Sequence, residues 1–298
     1  MAGRGLRRAL AALAACTALA ASAADEGWYL QVDNDVFYGT DRWYTSGARI
    51  ARVAAAGDHA LELGILQEIY TPEAKRQNPV DRPTAARLLF TLARHDRAPG
   101  DWRTLELDVG VTGPSALGRQ TQEFVHRYVP APHEDWSHQR SNRFDGQATW
   151  VRTMTLGEEA PGTPHVNTTY GVVLGNQVAF AHAGLELRFG RGGAASEMSS
   201  PALRFAATPP LSFADDGSWS FFLGASARAV AWNHLLDFAP DLPQATPALR
   251  HVVQRFLGGL AWSSRFAQLT FVLAHDTHEF VGQRRDHGFG SMTLHVPF

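Results

Sequence analysis

The sequence contains a single cysteine among its 298 residues, and that residue, Cys16, lies close to the N-terminus. This excludes a fold held together by disulfides and a zinc site built from cysteine ligands. Charge is also scarce: 27 basic and 29 acidic residues leave a net charge of −2. Because nucleic-acid-binding proteins normally carry a basic surface, this balance argues against that class. The hydrophobic fraction of 45% supplies enough apolar surface for a folded protein.

Long hydrophobic runs are absent as well once the N-terminal segment is set aside. No later segment approaches the roughly 18 continuous apolar residues that a transmembrane helix needs. The sequence therefore excludes a helical membrane protein.

The N-terminus has the parts of a secretory signal peptide. Three arginines come first, an apolar run follows, and a small-residue cleavage site ends the segment: Arg4, Arg7, Arg8, Ala9–Ala20 and Ala21–Ala23. We predict that residues 1–23 are removed on export and that residues 24–298 form one domain without cysteine, as suits an oxidising compartment. The segment Leu13–Cys16 also resembles a lipoprotein lipobox. Cleavage after Ala23 is preferred, because cleavage at the lipobox would leave an apolar tail.

Apolar and polar residues alternate with a period of two through much of the remaining sequence. Four segments each have one apolar and one polar face: Thr104–Val111, Trp219–Ala231, Ala267–Leu273 and Ser291–Phe298. Strands of this kind fit a soluble sandwich or a membrane barrel. The export signal, the length of the strands and the terminal Phe298 favour the barrel. Because a closing strand that ends in Phe resembles the recognition signal of outer-membrane barrels, we expect the barrel-assembly machinery to be a partner.

The alternation predicts about twelve strands, an even number that closes an antiparallel barrel without exposed edges. The predicted strands are 28–35, 45–55, 59–71, 84–95, 102–112, 144–157, 165–176, 178–190, 218–233, 249–263, 265–278 and 287–298. Residues 191–217, rich in Gly, Ser and Pro, predict a long loop. The predicted fold is therefore all-β: a transmembrane antiparallel β-barrel located in the bacterial outer membrane.

One segment, near residues 114–129, breaks the alternation. Pro114 fits the first turn of a helix, and Gln122 and His126 are four residues apart and therefore stacked on one stripe. Apolar residues follow a different stripe: Leu117, Phe124, Val125 and Tyr128. The pattern predicts an amphipathic helix of about four turns. Such a helix either packs on the barrel rim without a further role or presents His126 to a cleft at the membrane surface.

Three ordered blocks carry more specific motifs. The first, Val32–Ile50, reads VDNDVFYGTDRWYTSGARI; the second runs from Gln67 through QEIYTP to DRP at Pro83; and the third begins with GVTGP at Gly110 and reaches Gln139. A weaker match lies at Thr277–Phe280. Together they resemble the outer-membrane lipid A 3′-O-deacylase family, with the resemblance dense over residues 28–145 and thin beyond.

The resemblance implies an outer-membrane barrel that hydrolyses the ester of the 3′-linked acyloxyacyl group of lipid A in lipopolysaccharide. It also implies Ca²⁺ as a cofactor and a histidine that activates water. The Asn-Asp pair of the family falls on Asn34 and Asp35, its Thr on Thr45 and its catalytic His on His126. The resemblance puts its metal on Asn34 and Asp35.

Two further correspondences concern charged residues. The Lys-Arg pair of the family falls on Lys75 and Arg76. The sequence departs from the family at Pro132, where the family has a glutamate. Glu134 lies two residues further on and is the candidate to supply that carboxylate.

The chemistry of these residue types agrees with ester hydrolysis. Histidine can remove a proton near neutral pH. The side-chain oxygens of Asn34 and Asp35 suit Ca²⁺, which would polarise the ester carbonyl as a Lewis acid. Thr45 can donate a hydrogen bond or position a water. Four basic residues in or near one loop can pair with the glucosamine phosphates: Lys75, Arg76, Arg82 and Arg87.

The sequence is also compatible with two other functions. An outer-membrane phospholipase would need a Ser–His pair on a strand, which we do not find, and no G-x-S-x-G motif is present. A non-enzymatic, porin-like barrel would use its polar lumen as a channel. His275 and His278 form an H-x-x-H motif, but no third zinc ligand is evident in the sequence.

Overall fold

The computed structural model shows twelve antiparallel strands in one closed barrel. Strands that follow each other in the chain are paired, and the first strand pairs with the last, so no edge stays exposed. The predicted fold class is confirmed. The structure describes residues 26–56, 59–73, 81–98, 100–128, 134–157, 163–191, 218–237, 246–264 and 266–297. The predicted signal peptide at 1–23, the loop residues from 192 to 217 and Phe298 lie outside these ranges.

Each predicted strand overlaps one observed strand. The strands are β1 Gly27–Asn34, β2 Trp43–Ala56, β3 His59–Thr71, β4 Ala85–Ala98, β5 Asp101–Thr112, β6 Arg143–Leu156, β7 His165–Gly175, β8 Val178–Arg191, β9 Ser218–Asn233, β10 Val252–Ser263, β11 Gln268–Asp276 and β12 His287–Pro297. Most boundaries agree to within two or three residues. No helix in the described part of the chain has the length and apolar content needed to cross a membrane.

Strand side chains alternate between an apolar exterior and a polar interior. On β5, Leu105, Leu107 and Val109 are about half exposed on the outside, whereas Glu106 and Asp108 are buried inside. Large apolar side chains of β9 are likewise exposed at every second position: Trp219, Phe221 and Leu223. This is the arrangement that a barrel wall in contact with hydrocarbon requires.

Ion pairs fill much of the barrel interior. Arg49 Nη2 lies 2.6 Å from Glu62 Oε1 and 2.9 Å from Glu106 Oε2. Arg87 Nε lies 3.0 Å from Asp145 Oδ2, also out of contact with solvent. Buried charges are costly unless they are paired. This network shares the interior with a buried apolar cluster that includes Phe180 and Phe222.

The helical region lies in the β5–β6 connection and has two parts. Pro114–Ala116 forms a 3₁₀ turn and Gly118–His126 forms the α-helix, α1. Leu117 stands between them with φ of +60°, a left-handed conformation that no continuous right-handed helix contains. The prediction of one helix of about four turns over 114–129 was therefore too long, since α1 has only nine residues.

The helical region packs on the outer face of the barrel wall rather than over the lumen. Ala116 and Trp136 form a buried cluster with Ile69 and Ala86. Ile69 and Ala86 point outward from β3 and β4, since their neighbours Glu68 and Arg87 form an ion pair inside. The helical region thus packs on the outer surface of β3 and β4, which is the side of the wall that faces the membrane.

Candidate functional site

The predicted site residues lie at one end of the barrel, opposite the end where β1 begins and β12 finishes. Asn34 is the last residue of β1, Thr45 is close to the start of β2, and α1 follows the end of β5. These positions meet because consecutive strands are antiparallel, so that β1, β3 and β5 finish at the same end.

Strand register brings the two halves of the site to the same height on the outer wall. Asn34 pairs with Ser46, Ser46 with Ile69, and Ile69 with Ala86. Ile69 and Ala86 lie beneath the helical region. The Asn34–Asp35 turn and α1 therefore lie on either side of the outer face of β2, and we call the space between them the cleft.

The first wall of the cleft is a 3₁₀ turn, Asp35–Tyr38, that directly follows β1. Asn34 caps this turn, because its Oδ1 accepts a hydrogen bond from the N–H of Val36 at 2.8 Å. The Oδ2 of Asp35 accepts the N–H of Arg42 at 2.6 Å. Its Oδ1 is buried and has no partner among the described residues. Burial raises the pKa of Asp35 to about 8.

Two aromatic residues of this turn lie on the outside of β11 and β12. The ring of Phe37 meets Phe271 edge-on at a centroid distance of 6.1 Å. The Tyr38 hydroxyl lies 3.1 Å from His275 Nδ1. Both rings press against glycines at positions 288 and 290, where a Cβ would overlap them. The turn is therefore anchored on the outer wall.

Thr45 owes its position to a β-bulge. The β2–β3 register shifts between Tyr44 and Ser46, so Thr45 is the extra residue. Tyr44 points into the barrel, where its hydroxyl donates to Asp33 Oδ2 at 2.6 Å. Thr45 Oγ1 is hydrogen-bonded to Thr71 Oγ1 at 2.5 Å. The bulge thus fixes the Thr45 hydroxyl one residue before Ser46, the strand partner of Asn34.

The second wall of the cleft is α1. Gln122 is buried and accepts a hydrogen bond from Trp136 Nε1 at 2.8 Å. His126 is the last residue of α1 and is half-buried. Since it is one turn beyond Gln122, its imidazole lies at the edge of the face that packs on the wall. A Cβ at Gly118 would overlap Ala86 and Trp136, so glycine permits this close approach.

Glu134, which follows α1 in the chain, interacts electrostatically with Asp41 of the β1–β2 connection. Burial, together with the negative charges of Asp41 and Asp135, raises the pKa of Glu134 to about 7. Asp41 belongs to the β1–β2 connection, and it also raises the pKa of Asp35. The carboxylate expected to replace the family glutamate therefore lies beside the loop that carries Asp35.

The predicted phosphate ligands are placed differently. The Arg82 guanidinium is buried, lies 4.3 Å from the ring centroid of Tyr70, and forms an ion pair with Glu279 at 3.4 Å. Its partners are inside the barrel, away from the surface position that a phosphate ligand needs. Lys75 and Arg76 lie outside the described residues.

The Asn34–Asp35 turn offers oxygen atoms of the kind that Ca²⁺ binds. Within the described ranges, no three His, Cys, Asp or Glu side chains converge closely enough to hold a metal ion. Ca²⁺ also binds amide and carbonyl oxygens, however, and needs few carboxylates. The buried, unpartnered Oδ1 of Asp35, next to the amide of Asn34, is compatible with a cation at this turn.

The sequence did not predict two of the contacts that the structure shows near the site. Asp41 lies in the first motif, but only the fold shows that it influences Glu134. The H-x-x-H spacing indicated His275 and His278, whereas their common partner comes from a loop: the carboxylate of Asp286 lies 3.2 Å and 3.3 Å from their Nε2 atoms. No short-range sequence signal predicts either contact.

Comparisons with known proteins agree with this architecture. The family model for outer membrane protein LpxR matches residues 8–298. The solved structure of LpxR from Salmonella typhimurium covers 91% of this chain and 100% of its own, at 22% identity and a TM-score of 0.78. The β domain of the Bordetella autotransporter BrkA covers 92% of this chain and 100% of its own, at 10% identity and a TM-score of 0.48. No curated protein sequence matches. Because the family model spans nearly the whole chain, this outer-membrane β-barrel belongs to the outer membrane protein LpxR family.

Proposed function

We propose that this protein is a lipid A 3′-O-deacylase, a hydrolase that removes the 3′-linked acyloxyacyl group of lipid A. The observation that supports this best is the place of the cleft. The Asn34–Asp35 turn and the helix with His126 both lie on the outer wall of the barrel, at the end away from the termini. An ester of a lipid in the outer leaflet reaches that wall from the side, without entering the lumen.

His126 acts as the general base in this proposal. Its imidazole takes a proton from water while the water oxygen attacks the ester carbonyl. When the tetrahedral intermediate collapses, the carbon–oxygen bond to the sugar breaks and the imidazolium returns the proton to the departing sugar oxygen. The Gln122–Trp136 hydrogen bond holds the helix turn that positions the imidazole.

Asn34 and Thr45 supply polar groups for the charge that develops on the carbonyl oxygen. Fixed donors beside a developing oxyanion commonly lower the barrier by about 3 kcal/mol each. Thr45 is suited to this role because the bulge and the contact with Thr71 fix its hydroxyl.

Calcium is part of the same proposal. Asn34 and Asp35 would hold the ion, which when bound acts as a Lewis acid that polarises the ester carbonyl. The support is the unpartnered, buried Oδ1 of Asp35, since a buried polar oxygen that has neither a cation nor a hydrogen-bond donor is costly.

Charged residues around the cleft complete the proposal. Glu134 assists His126 in place of the family glutamate, and Lys75 and Arg76 bind the glucosamine phosphates. Because Arg82 pairs with Glu279 inside the barrel, we assign it the supporting role of holding the loop that begins after β3. Export through a cleaved signal peptide at 1–23 and assembly through Phe298 belong to the same proposal.

The barrel interior disfavours the porin alternative. Arg49, Arg188 and Arg255 are all at most 1% exposed and pair with buried carboxylates. A channel lumen would leave such side chains in contact with water. An outer-membrane phospholipase remains the competing hydrolase, since it would use the same surface.

Mass spectrometry of lipid A from cells that express the protein tests the proposal. Wild-type protein should remove the 3′ acyloxyacyl group, and His126→Ala at equal folded abundance should leave lipid A intact, because general-base catalysis contributes roughly 10²–10⁴-fold. Intact lipid A with wild-type protein, together with hydrolysed phospholipid, would favour the phospholipase. Wild-type activity in His126→Ala would remove His126 from the mechanism.

A further inference from the structure

Helix α1 and the residues next to its two ends leave their apolar side chains exposed instead of packing them against the protein. Phe124 is 57%, Val125 43%, Leu117 48% and Tyr128 75% exposed. The residues of α1 that are buried are Gly118 and the polar Gln122. An amphipathic helix on a soluble domain has the reverse arrangement, with its apolar stripe on the core. The described part of the protein therefore does not supply the environment that these side chains prefer.

The surface of α1 is divided into three sectors. At about 100° per residue, Gly118 and Gln122 mark the sector that packs on the barrel wall. Phe124 and Tyr128 project along one flank, where their rings contact each other at 5.5 Å. The opposite flank is charged, and its Arg119–Glu123 ion pair at 2.7 Å is exposed. His126 lies where the wall sector meets the charged flank.

The outward-facing residues of β4 run from beneath the helical region into the apolar band of the barrel wall. Along β4, every second residue points outward: Ala86 is covered by the helical region, Leu88 is partly covered, and Phe90 is 60% exposed. Phe90 lies four positions beyond Ala86, which is about 13 Å along the strand, whereas a helix is about 10 Å wide. The apolar band of the barrel therefore begins at the edge of α1.

We propose that α1 is an interfacial membrane helix whose apolar flank lies among the acyl chains of the outer leaflet. Leu117, Phe124, Val125 and Tyr128 form the inserted flank, and Arg119 and Glu123 stay at the headgroup level. Because His126 lies at the edge of the charged flank, insertion sets its depth at the boundary between headgroups and acyl chains. This inference concerns how the helix meets the bilayer and does not depend on the proposed hydrolysis.

Spin labels at single cysteines measure the depth of each flank. The mature protein, whose predicted sequence from residue 24 contains no cysteine, carries one nitroxide at Phe124→Cys or Tyr128→Cys in vesicles of phosphatidylethanolamine and phosphatidylglycerol. The matched controls are Arg119→Cys and Glu123→Cys, on the charged flank of the same helix. Folding of each variant is checked by its heat-modifiable migration in gels.

We expect labels at 124 and 128 to collide several times more often with oxygen, relative to a water-soluble nickel chelate, than labels at 119 and 123. Oxygen concentrates in hydrocarbon, and the chelate stays in water. Equal collision ratios on the two flanks would overturn the inference. Since no substrate is present, the result stands whether or not the protein removes acyl groups from lipid A.

Discussion

At the scale of single residues, the candidate site combines groups whose surroundings differ sharply. The Asp35 carboxyl is buried with one oxygen unpartnered, whereas Asp135 accepts hydrogen bonds from Ser137 that keep its pKa below the ordinary range. Glu134 stands between these extremes, since burial and nearby negative charge raise its pKa to about 7. Glu134, which the sequence indicated only weakly, therefore has a pKa near neutral pH, as Asp35 does.

The raised pKa of Glu134 predicts that the rate of deacylation depends on pH. Because its folded pKa of about 7 lies above the ordinary value of 4.5, Glu134 is protonated below that pH and ionised above it. If the carboxylate assists His126, wild-type deacylation should rise between pH 6 and 8 more steeply than in Glu134→Gln. The measurement is kcat/KM against pH in mixed micelles, with Asp135→Asn as the control. Superimposable profiles would mean that Glu134 plays no part.

The raised pKa of Glu134 also makes the free energy of unfolding depend on pH. A raised carboxyl pKa favours the folded state at low pH, and this contribution is lost as the pH rises through about 7. Glu134→Gln should therefore be more stable than wild type at pH 8 and not at pH 4. Since Glu134 is only partly buried, the gain should stay below about 1 kcal/mol. Urea unfolding in detergent at both pH values measures it.

Removal of the proposed Ca²⁺ ion from Asp35 should stop deacylation. A chelator such as EGTA should abolish deacylation, and added Ca²⁺ should restore it, because the proposal relies on a cation to polarise the ester carbonyl. Asp35→Asn should need a higher Ca²⁺ concentration for half-maximal activity, with Asp96→Asn, on the exposed part of β4, as the control. Activity that is indifferent to chelation would exclude the metal.

At the scale of elements, the site depends on how closely α1 approaches the wall. Gly118 lies against Ala86 and Trp136, and Gln122 receives the Trp136 hydrogen bond one turn later. These contacts hold a helix of only nine residues, which would be marginal in isolation because short helices have little intrinsic stability. The position of His126 is therefore a property of packing.

Gly118→Val tests this dependence. The added side chain would overlap Ala86 and Trp136, so α1 must move away from β4. We expect deacylation to fall at least about tenfold, as small misplacements of catalytic groups do, while the barrel still folds. Gln120→Ala, an exposed change on the same helix, should keep wild-type activity. Unchanged kcat/KM in Gly118→Val would show that the wall contact does not position His126.

At the scale of the whole molecule, the barrel separates two polar regions. Paired charges fill the interior, and the candidate site lies outside the wall at one end. The interior ion pairs join residues from strands far apart in sequence, such as Arg49 of β2 and Glu106 of β5. The inner surface of the sheet therefore contributes the ion pairs that stabilise the barrel, and its outer surface holds the candidate site.

Arg49→Met tests the interior. It leaves Glu62 and Glu106 buried without their main cation, which should lower the free energy of unfolding by roughly 3–5 kcal/mol. Arg94→Met is the matched control, because Arg94 pairs with Asp96 on an exposed surface and should cost less than about 1 kcal/mol. Urea unfolding in detergent compares the two. Equal losses of unfolding free energy in Arg49→Met and Arg94→Met would show that the interior ion pairs stabilise the barrel no more than a surface pair does.

The sequence by itself determined the strands and the faces that they present, because side chains alternate along a strand whatever lies around it. The alternating segments around Leu105 and Trp219 are strands with the expected lipid-facing residues. Its motifs also selected Asn34, Thr45 and His126, which the fold brings to one end of the barrel.

Only the tertiary structure decided what depends on closure and long-range register. It divided the predicted helix at Leu117, turned the apolar stripe of α1 away from the protein, and enclosed Arg82 with Glu279. Each outcome follows from contacts between segments distant in the chain, such as Trp136 with Gln122 or Ile69 with Ala116. Local periodicity carries no information about such partners, because they meet only when the barrel wall exists.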